Sequence, residues 1–246
     1  MVKKNKLAIL NCYKKKVCIV QARLGSQRLP NKVMKIINGK PMIYWLILRL
    51  NKVKFFDLIV VAIPMRGNKK LFNYLKKIKK KTKIEIFQGS EHNVLKRFYY
   101  AAKKFKADII TRVTADDPLK DIDVIRNSLL NFIKLKIDYY SNTIKQTYPI
   151  GIDIEHFTIN SLKKTFKLAK TKYDKEHVTT FIKKRPKMFK IKNFINIPNL
   201  ANYSLTVDTK KDFEKIKKIF AVFKNDPYVS YKKIIKFIKK NEKKDK

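Results

Sequence analysis

The sequence predicts an α/β fold built on a mostly parallel, mixed sheet covered by helices. Three observations carry this. Short apolar runs rich in β-branched residues recur along the first half of the chain. A stretch with apolar residues at helical spacing follows each run. The runs are apolar at successive positions, as in strands buried on both faces between helical layers.

Residues 17–22 (VCIVQA) are the first strand, and the polar loop QARLGSQRLPNK follows it. Asn38-Gly39 marks a turn, Pro41 sits at a helix start, and residues 42–50 carry apolar side chains at helical spacing. Residues 58–63 (LIVVAI) form a second buried strand ended by Pro64, and 68–78 a lysine-faced helix. A third strand is expected at 84–87. The helix at 93–105 turns Val94, Leu95, Phe98, Ala101, Ala102 and Phe105 inward. Residues 108–113 (DIITRV) are the fourth strand, followed by a loop at 114–119 and a helix over about 121–135.

The second half is less regular. Strands are expected at 138–142, 152–156, 189–195 and 203–207. Helices are expected at 158–169, 174–183, 212–223 and 229–239. No internal repeat and no Gly/Ser-rich linker interrupts the chain. We therefore expect a basic N-terminal extension at 1–16, able to add an edge strand. A single domain follows at 17–240, with residues 140–200 as an insertion against its core, and a charged tail closes the chain at 241–246.

The 246 residues, 45% of them apolar, suffice for a sizeable core. No apolar run approaches the roughly 18–20 residues of a membrane span. The apolar stretch at 7–10 is too short for a signal-peptide core. A cytoplasmic location is expected, with Cys12 and Cys18 as free thiols. The formal net charge of +41 invites a nucleic-acid reading. However, only eight of the 60 basic residues are arginine, and the lysines spread over every expected helix. Bidentate reading of bases and phosphates favours arginine, so nucleic acid is set aside as the main partner. A polyanion binder stays as the alternative of a different class.

Ligands of an open parallel sheet bind beyond the carboxyl ends of its strands. The first such loop brings Arg23, Arg28 and Lys32 around Gly25-Ser26 and contains two of the eight arginines. A glycine turn flanked by cations suits a polyphosphate; a solvated basic turn is the plainer alternative. The loop lacks the G-x-x-x-x-G-K-[ST] pattern of P-loop ATPases. In the fourth loop, TADDPLKD, acidic residues crowd together in a chain that has only 19. Asp116 is the candidate for a Mg²⁺ held jointly with phosphate oxygens. Asp117, Asp121 and Asp123 are candidates to support the next helix. Asp208, in SLTVDTKKD, is either a second acidic contact or a helix cap. In QGSEHNVLKRF, Ser90 either caps the next helix or contacts a base or ribose. His156 and His177 are weak signals, with no nucleophile beside them.

Together, QARLGSQRLPNK, NGKPMIYW, QGSEHNVLKRFYYAAK, ADIITRVTADDPLKD and SLTVDTKKD resemble the cytidylyltransferases that activate acidic sugars, the CMP-KDO and CMP-sialate synthetases. The nearest branch in pattern is the spore-coat-polysaccharide type, which YPIGIDIEHF and DKEHVTTFI also resemble.

The resemblance covers residues 17–220 and implies a Rossmann-like three-layer sandwich of the nucleotide-diphospho-sugar transferase type. It implies CTP and a sugar acid as substrates, Mg²⁺ as cofactor, and a homodimer formed through residues 140–200. The matched positions make Ala22, Arg23, Gly25, Ser26, Arg28, Lys32, Gly89 and Ser90 nucleotide contacts. Arg23, Lys32 and Asp116 become catalytic, Asp116 and Asp208 metal ligands, and Asp153, Glu155 and His177 sugar contacts. Ala115 replaces the glycine of the sialate and KDO enzymes, and 88–97 departs from the KDO enzymes' version, which leaves base and sugar choice open. Another nucleotide, a neutral sugar, or a glycosyltransferase reaction on a similar sheet are the alternatives within enzymes.

Overall fold

The computed structural model describes residues 15–242. The chain folds as β1 (Lys16–Gln21), a small hairpin of β2 (Ile36–Ile37) and β3 (Lys40–Pro41), β4 (Leu58–Pro64), β5 (Ile84–Gly89), β6 (Ile109–Thr114), β7 (Tyr139–Ser141), β8 (Glu155–Thr158) and β9 (Ile191–Asn193). Seven strands form one sheet in the order β5-β4-β1-β6-β8-β7-β9. The pairs β1/β4, β1/β6, β4/β5 and β7/β9 are parallel, while β8 runs antiparallel to both β6 and β7. Three strands from the stretch expected as an insertion thus extend the main sheet.

Strand alternation sends side chains to two cores. Cys18, Val20, Ile59, Val61 and Ile63 face a layer that includes Leu46, Ile125, Ile216 and Ile234. These come from the helices Met42–Val53, Ile122–Leu135, Lys210–Val222 and Tyr231–Glu242. Val17, Ile19, Val60 and Ala62 face Phe98, Leu162 and Ile182, from the helices Val94–Lys104, Ile159–Leu168 and Thr180–Lys183. The result is the expected three-layer α/β sandwich. Arg49, 1% exposed, ties the first layer together: its Nε donates to the Lys120 carbonyl at 2.8 Å and its Nη1 to the Pro227 carbonyl at 2.6 Å. Burial pushes this guanidinium down to about 10, against the pull of Asp121 and Asp226.

Several expected boundaries move, each for a local reason. The Asn38-Gly39 turn connects β2 to β3 with both residues at positive φ, 44° and 74°, as a two-residue hairpin loop requires. β1 starts at Lys16, inside the expected extension, and the Lys15 carbonyl accepts from Asp108 and Ile109 amides. The remainder of that extension, with Cys12, and residues 243–246 of the tail lie outside the described residues. Cys18 is a buried free thiol.

The strand expected at 152–156 begins only at Glu155. A turn closed by the Ile152 amide on the Pro149 carbonyl precedes it, with Gly151 at φ 97°. A Cβ on Gly151 would sit 2.7 Å from the Leu205 backbone, so the two segments can meet only at glycine. The strand expected at 203–207 is reduced to one bridge, Ile150 to Ser204; its Val207 amide instead donates to the Asp116 carbonyl at 2.9 Å. The helix expected at 174–183 is two short helices, Lys172–His177 and Thr180–Lys183.

Candidate active site

The loops after β1 and β6, the segment before the Lys210–Val222 helix, and the end of the Lys172–His177 helix close around one cavity of about 670 Å³. The site lies beyond the carboxyl ends of β1 and β6, the position expected for an open parallel sheet. Of the candidate residues, Ala22, Arg23, Gly25, Ser26, Arg28, Lys32, Asp116, His177 and Asp208 line it.

Lys32 is the centre of the arrangement. A 3-10 turn at Lys32–Met34 follows Asn31, at φ 56°, and carries the lysine inward until it is only 9% exposed. Its ammonium donates to Asp116 Oδ2, the Val207 carbonyl and Asp208 Oδ1, each at 2.9 Å. Burial pulls the Lys32 pKa down, but the two carboxylates outweigh it and hold the pKa above its usual value. Burial likewise works against the Asp116 carboxylate, and Lys32 more than reverses this, holding the Asp116 pKa below the ordinary range. All three ammonium N–H groups are spent on the protein. In this arrangement Lys32 orders the two carboxylates, while Arg23 and Arg28 remain on the cavity wall for an anionic ligand. Arg28, on the exposed rim, pairs with Asp208 Oδ2 at 3.0 Å.

The loop backbone adds to the basic wall. Ser26 and Asn31 amides turn back onto the Leu24 carbonyl, and the Leu24 amide is fixed by Asn68 Oδ1 at 2.8 Å. A Cβ at Gly25 would meet no protein atom within 4 Å. The missing side chain therefore leaves room on the cavity side, where a ligand can approach the backbone.

The crowded acidic loop is sorted by geometry. Asp116 faces the cavity. Asp117 Oδ2 is held by Thr114 Oγ1 and by buried Lys120 Nζ, both at 2.8 Å. Burial, with Asp116 and Asp153 nearby, raises the Asp117 carboxyl to about 6 despite Lys120. Asp121 caps the Ile122–Leu135 helix by accepting from the Asp123 and Val124 amides at 3.0 Å, and it also takes the Tyr231 amide. Asp208 is released from capping, because Thr209 and Asp212 form the capping box of the Lys210–Val222 helix.

Four other candidates do not reach the cavity wall. Gly89 sits under Arg97, where a Cβ would lie 3.1 Å from Arg97 Cγ and 2.8 Å from Phe87 Cε1. Ser90 accepts from the Asn93 amide through Oγ and from Arg97 through its carbonyl, and Asn93 is the residue that caps the next helix. Asp153 receives Gln146 Nε2 at 2.8 Å, and its carbonyl receives Lys120. Glu155 is 3% exposed. It binds Arg112 through Oε2, and through Oε1 it binds Tyr139 OH and Thr179 Oγ1 at 2.5 Å and Lys183 Nζ at 3.0 Å. Burial opposes the charged form of Glu155, but Arg112 and Lys183 depress its pKa far below the usual carboxylate range. His156 is a core residue between Thr111 Oγ1 and Ser128 Oγ, and burial pushes it down to about 3.

Two features escaped the sequence reading. Arg112, on β6, lines the cavity beside Gln21, and its Nη2 donates to Gln21 Oε1 at 3.2 Å. An arginine inside a buried strand, in a chain with eight, was the available signal. The second feature is the break after His177. Val178 has φ 61° and ψ −57°, and the Thr179 amide closes onto the His177 carbonyl at 2.6 Å. This is a γ-turn at positive φ, a strained conformation for a β-branched residue. It leaves Glu176 and His177 on the cavity wall while Thr179 turns inward to Glu155.

Among the described residues no three His, Cys, Asp or Glu side chains converge as a metal cage. Asp116 and Asp208 are two carboxylates on one ammonium. That donor set suits a hard divalent cation completing its shell with phosphate oxygens and water, as Mg²⁺ does.

A family model described as cytidylyltransferase matches residues 17–244. Uncharacterized protein MJ1063 of Methanocaldococcus jannaschii is 36% identical over 229 residues, covering 91% of this chain and 90% of its own. The spore coat polysaccharide biosynthesis protein SpsF of Bacillus subtilis is 29% identical over 231 residues, covering 91% and 93%. The solved structure of a cytidylyltransferase from Leptospira borgpetersenii superposes with a TM-score of 0.87 at 30% identity, covering 94% of this chain and 96% of that one.

Proposed function

Since the chain belongs to the cytidylyltransferase family, we propose that it transfers CMP from CTP to the anomeric hydroxyl of an acidic sugar, of the 3-deoxy-octulosonate or nonulosonate kind, releasing pyrophosphate. One observation supports this above the others: the basic loop after β1 and the carboxylates at two other segment ends converge on one cavity through Lys32. The polysaccharide named in the SpsF relative supports a sugar as acceptor and a surface glycan as destination.

In this reading the sugar oxygen attacks the α-phosphorus in line, the bond to the β-phosphate oxygen breaks, and the hydroxyl proton passes to solvent. Catalysis is then positioning and charge stabilisation, with no covalent enzyme intermediate. Arg23 and Arg28 take the charge that develops on the leaving pyrophosphate. Asp116 and Asp208, held in register by Lys32, are the residues that would hold Mg²⁺. Bound there with the nucleotide, the ion supplies Lewis-acid polarisation of the α-phosphate. His177, on the cavity wall, contacts the sugar in this reading. The exposed Ile195 and Ile197 beyond edge strand β9 favour a homodimer through this side, and a monomer by light scattering would remove that part of the reading.

The test is pyrophosphate release with each of CTP, GTP, UTP and ATP against 3-deoxy-manno-octulosonate, N-acetylneuraminate and neutral hexoses. Release only with CTP and an acid is expected; release with another nucleotide or with neutral sugars alone overturns the assignment. A second expectation concerns the glycine turn. Gly25→Ala adds a Cβ that meets no protein atom within 4 Å, so its melting temperature stays near wild type. It should weaken CTP binding roughly tenfold, the effect of a ~1–3 kcal/mol steric conflict. Titration calorimetry with CTP and Mg²⁺ reads this directly, and unchanged affinity places the nucleotide elsewhere.

A further inference from the structure

We propose that Arg112 is a specificity-determining residue that pairs with the carboxylate of the acceptor sugar. The inference rests on the acidic-sugar reading above and deepens it.

The observation is an imbalance of buried charge beside the cavity. Glu155 is one carboxylate shared by two cations, Arg112 and Lys183. Both of its oxygens are used, and Tyr139 and Thr179 donate further hydrogen bonds to it. Asp116, another carboxylate of the cavity wall, is committed to Lys32. Two cations therefore share one carboxylate, and together they carry one positive charge more than Glu155 supplies. The Arg112 side chain is 15% exposed and lines the cavity, and its buried Nε has no acceptor among the described residues. A buried guanidinium with a donor unmet gains from an anion that brings further acceptors. A guanidinium held by two side chains is also preorganised to meet a planar carboxylate.

Arg112 differs in position from the loop cations: it lies within strand β6, whereas Arg23 and Arg28 lie in the loop after β1, and all three line the cavity. Arg112 stands opposite Ile19 in the β1 register, two residues below the strand end where Gln21 meets Thr114. In a 2-keto sugar acid the carboxylate is carried by the anomeric carbon. An arginine that fixes it also fixes the neighbouring hydroxyl, the nucleophile, relative to the α-phosphorus. A phosphate of the nucleotide is the other anion that could complete Arg112, and the experiment separates the two.

The experiment compares wild type with Arg112→Lys and Arg112→Gln, using CTP with 3-deoxy-manno-octulosonate, N-acetylneuraminate and their C1-alcohol analogues. Arg112→Lys keeps Glu155 paired and is the variant expected to stay folded. For Arg112→Lys the KM of the acid rises roughly 10- to 100-fold, the cost of losing one charge-assisted contact, while the KM of CTP changes less than threefold. The wild-type preference for the acid over its alcohol falls by a similar factor. A rise in the KM of CTP with that preference intact assigns Arg112 to the nucleotide and overturns the inference alone, as do unchanged constants. A wild-type enzyme that uses the alcohols as well as the acids, or only neutral sugars, overturns the acidic-sugar reading together with it.

Discussion

Asp116→Asn lowers kcat by about 10²–10³-fold, the typical effect of removing one preorganised charge from a transition state, and leaves the fold intact. The side chains are nearly isosteric. The substituted amide keeps an oxygen for Lys32, and the ammonium retains the Val207 carbonyl and Asp208. What is lost is one of the two negative charges that would hold the proposed divalent cation. The stability effect is small because the Asp116 side chain is 29% exposed, so the pair is partly screened. The measurement combines pyrophosphate release at saturating substrates with a thermal melt. Wild-type melting with a rate within tenfold of wild type would remove Asp116 from the chemistry. Loss of both rate and fold would make its role structural. The same melts with CTP, with and without Mg²⁺, add a binding readout, since a ligand of the native state raises Tm; the Mg²⁺-dependent increment should vanish in the variant.

The first half of the fold was legible because local and global signals agree there. β1 and β4 are nearly continuous apolar runs, β5 and β6 are largely apolar with Glu85 and Arg112 set into them, and their helices repeat at 3.6 residues, so pattern and topology reinforce each other. The second half was harder where tertiary contacts override local preference. Residues 203–207 read as a strand, yet their backbone serves the site: the Val207 carbonyl receives Lys32 and its amide reaches the Asp116 carbonyl. Residues 174–183 have helical composition, but the γ-turn at Val178 divides them, held by the burial of Val178 and by Thr179 on Glu155.

The site followed the same division. The basic loop and the acidic loop were visible as clusters of rare residues in a lysine-rich chain. Asp116 was singled out there as the aspartate for the ligand, and it lines the cavity; what the sequence did not show is how its neighbours are used, Asp117 by Lys120 and Asp121 by the helix. Glu155 reads from its motif as a sugar contact, whereas the structure uses its carboxylate as the anchor of Arg112. A sequence lists both residues without the antiparallel β6/β8 register that sets Arg112 opposite Glu155.

That anchor makes Glu155→Gln the most destabilising single change expected here. The substitution is close to isosteric, so it leaves no cavity. It does leave Arg112 and Lys183 without their shared carboxylate in a buried setting, and it can turn an amide N–H toward two cations. Removing one partner of a buried pair costs about 3–5 kcal/mol; partial exposure of Lys183 places this case near ~3 kcal/mol. For a chain of this size that corresponds to a Tm lower by roughly 6–12 °C.

Proton linkage gives an independent check with a fixed sign. The folded-state pKa of Glu155 is depressed, with burial opposing and Arg112 and Lys183 driving the shift. Its stabilising contribution is therefore full above the unfolded value of about 4.3, and it is lost as pH falls from there toward the lower folded value. Wild type should lose stability on acidification below about pH 4.3, and Glu155→Gln should show a shallower slope over the same range, so the two unfolding free energies converge as pH drops. Parallel curves, or a variant as stable as wild type near neutral pH, would mean that Arg112 and Lys183 find other compensation. Arg112 would then lack the buried charge imbalance that points it at the substrate.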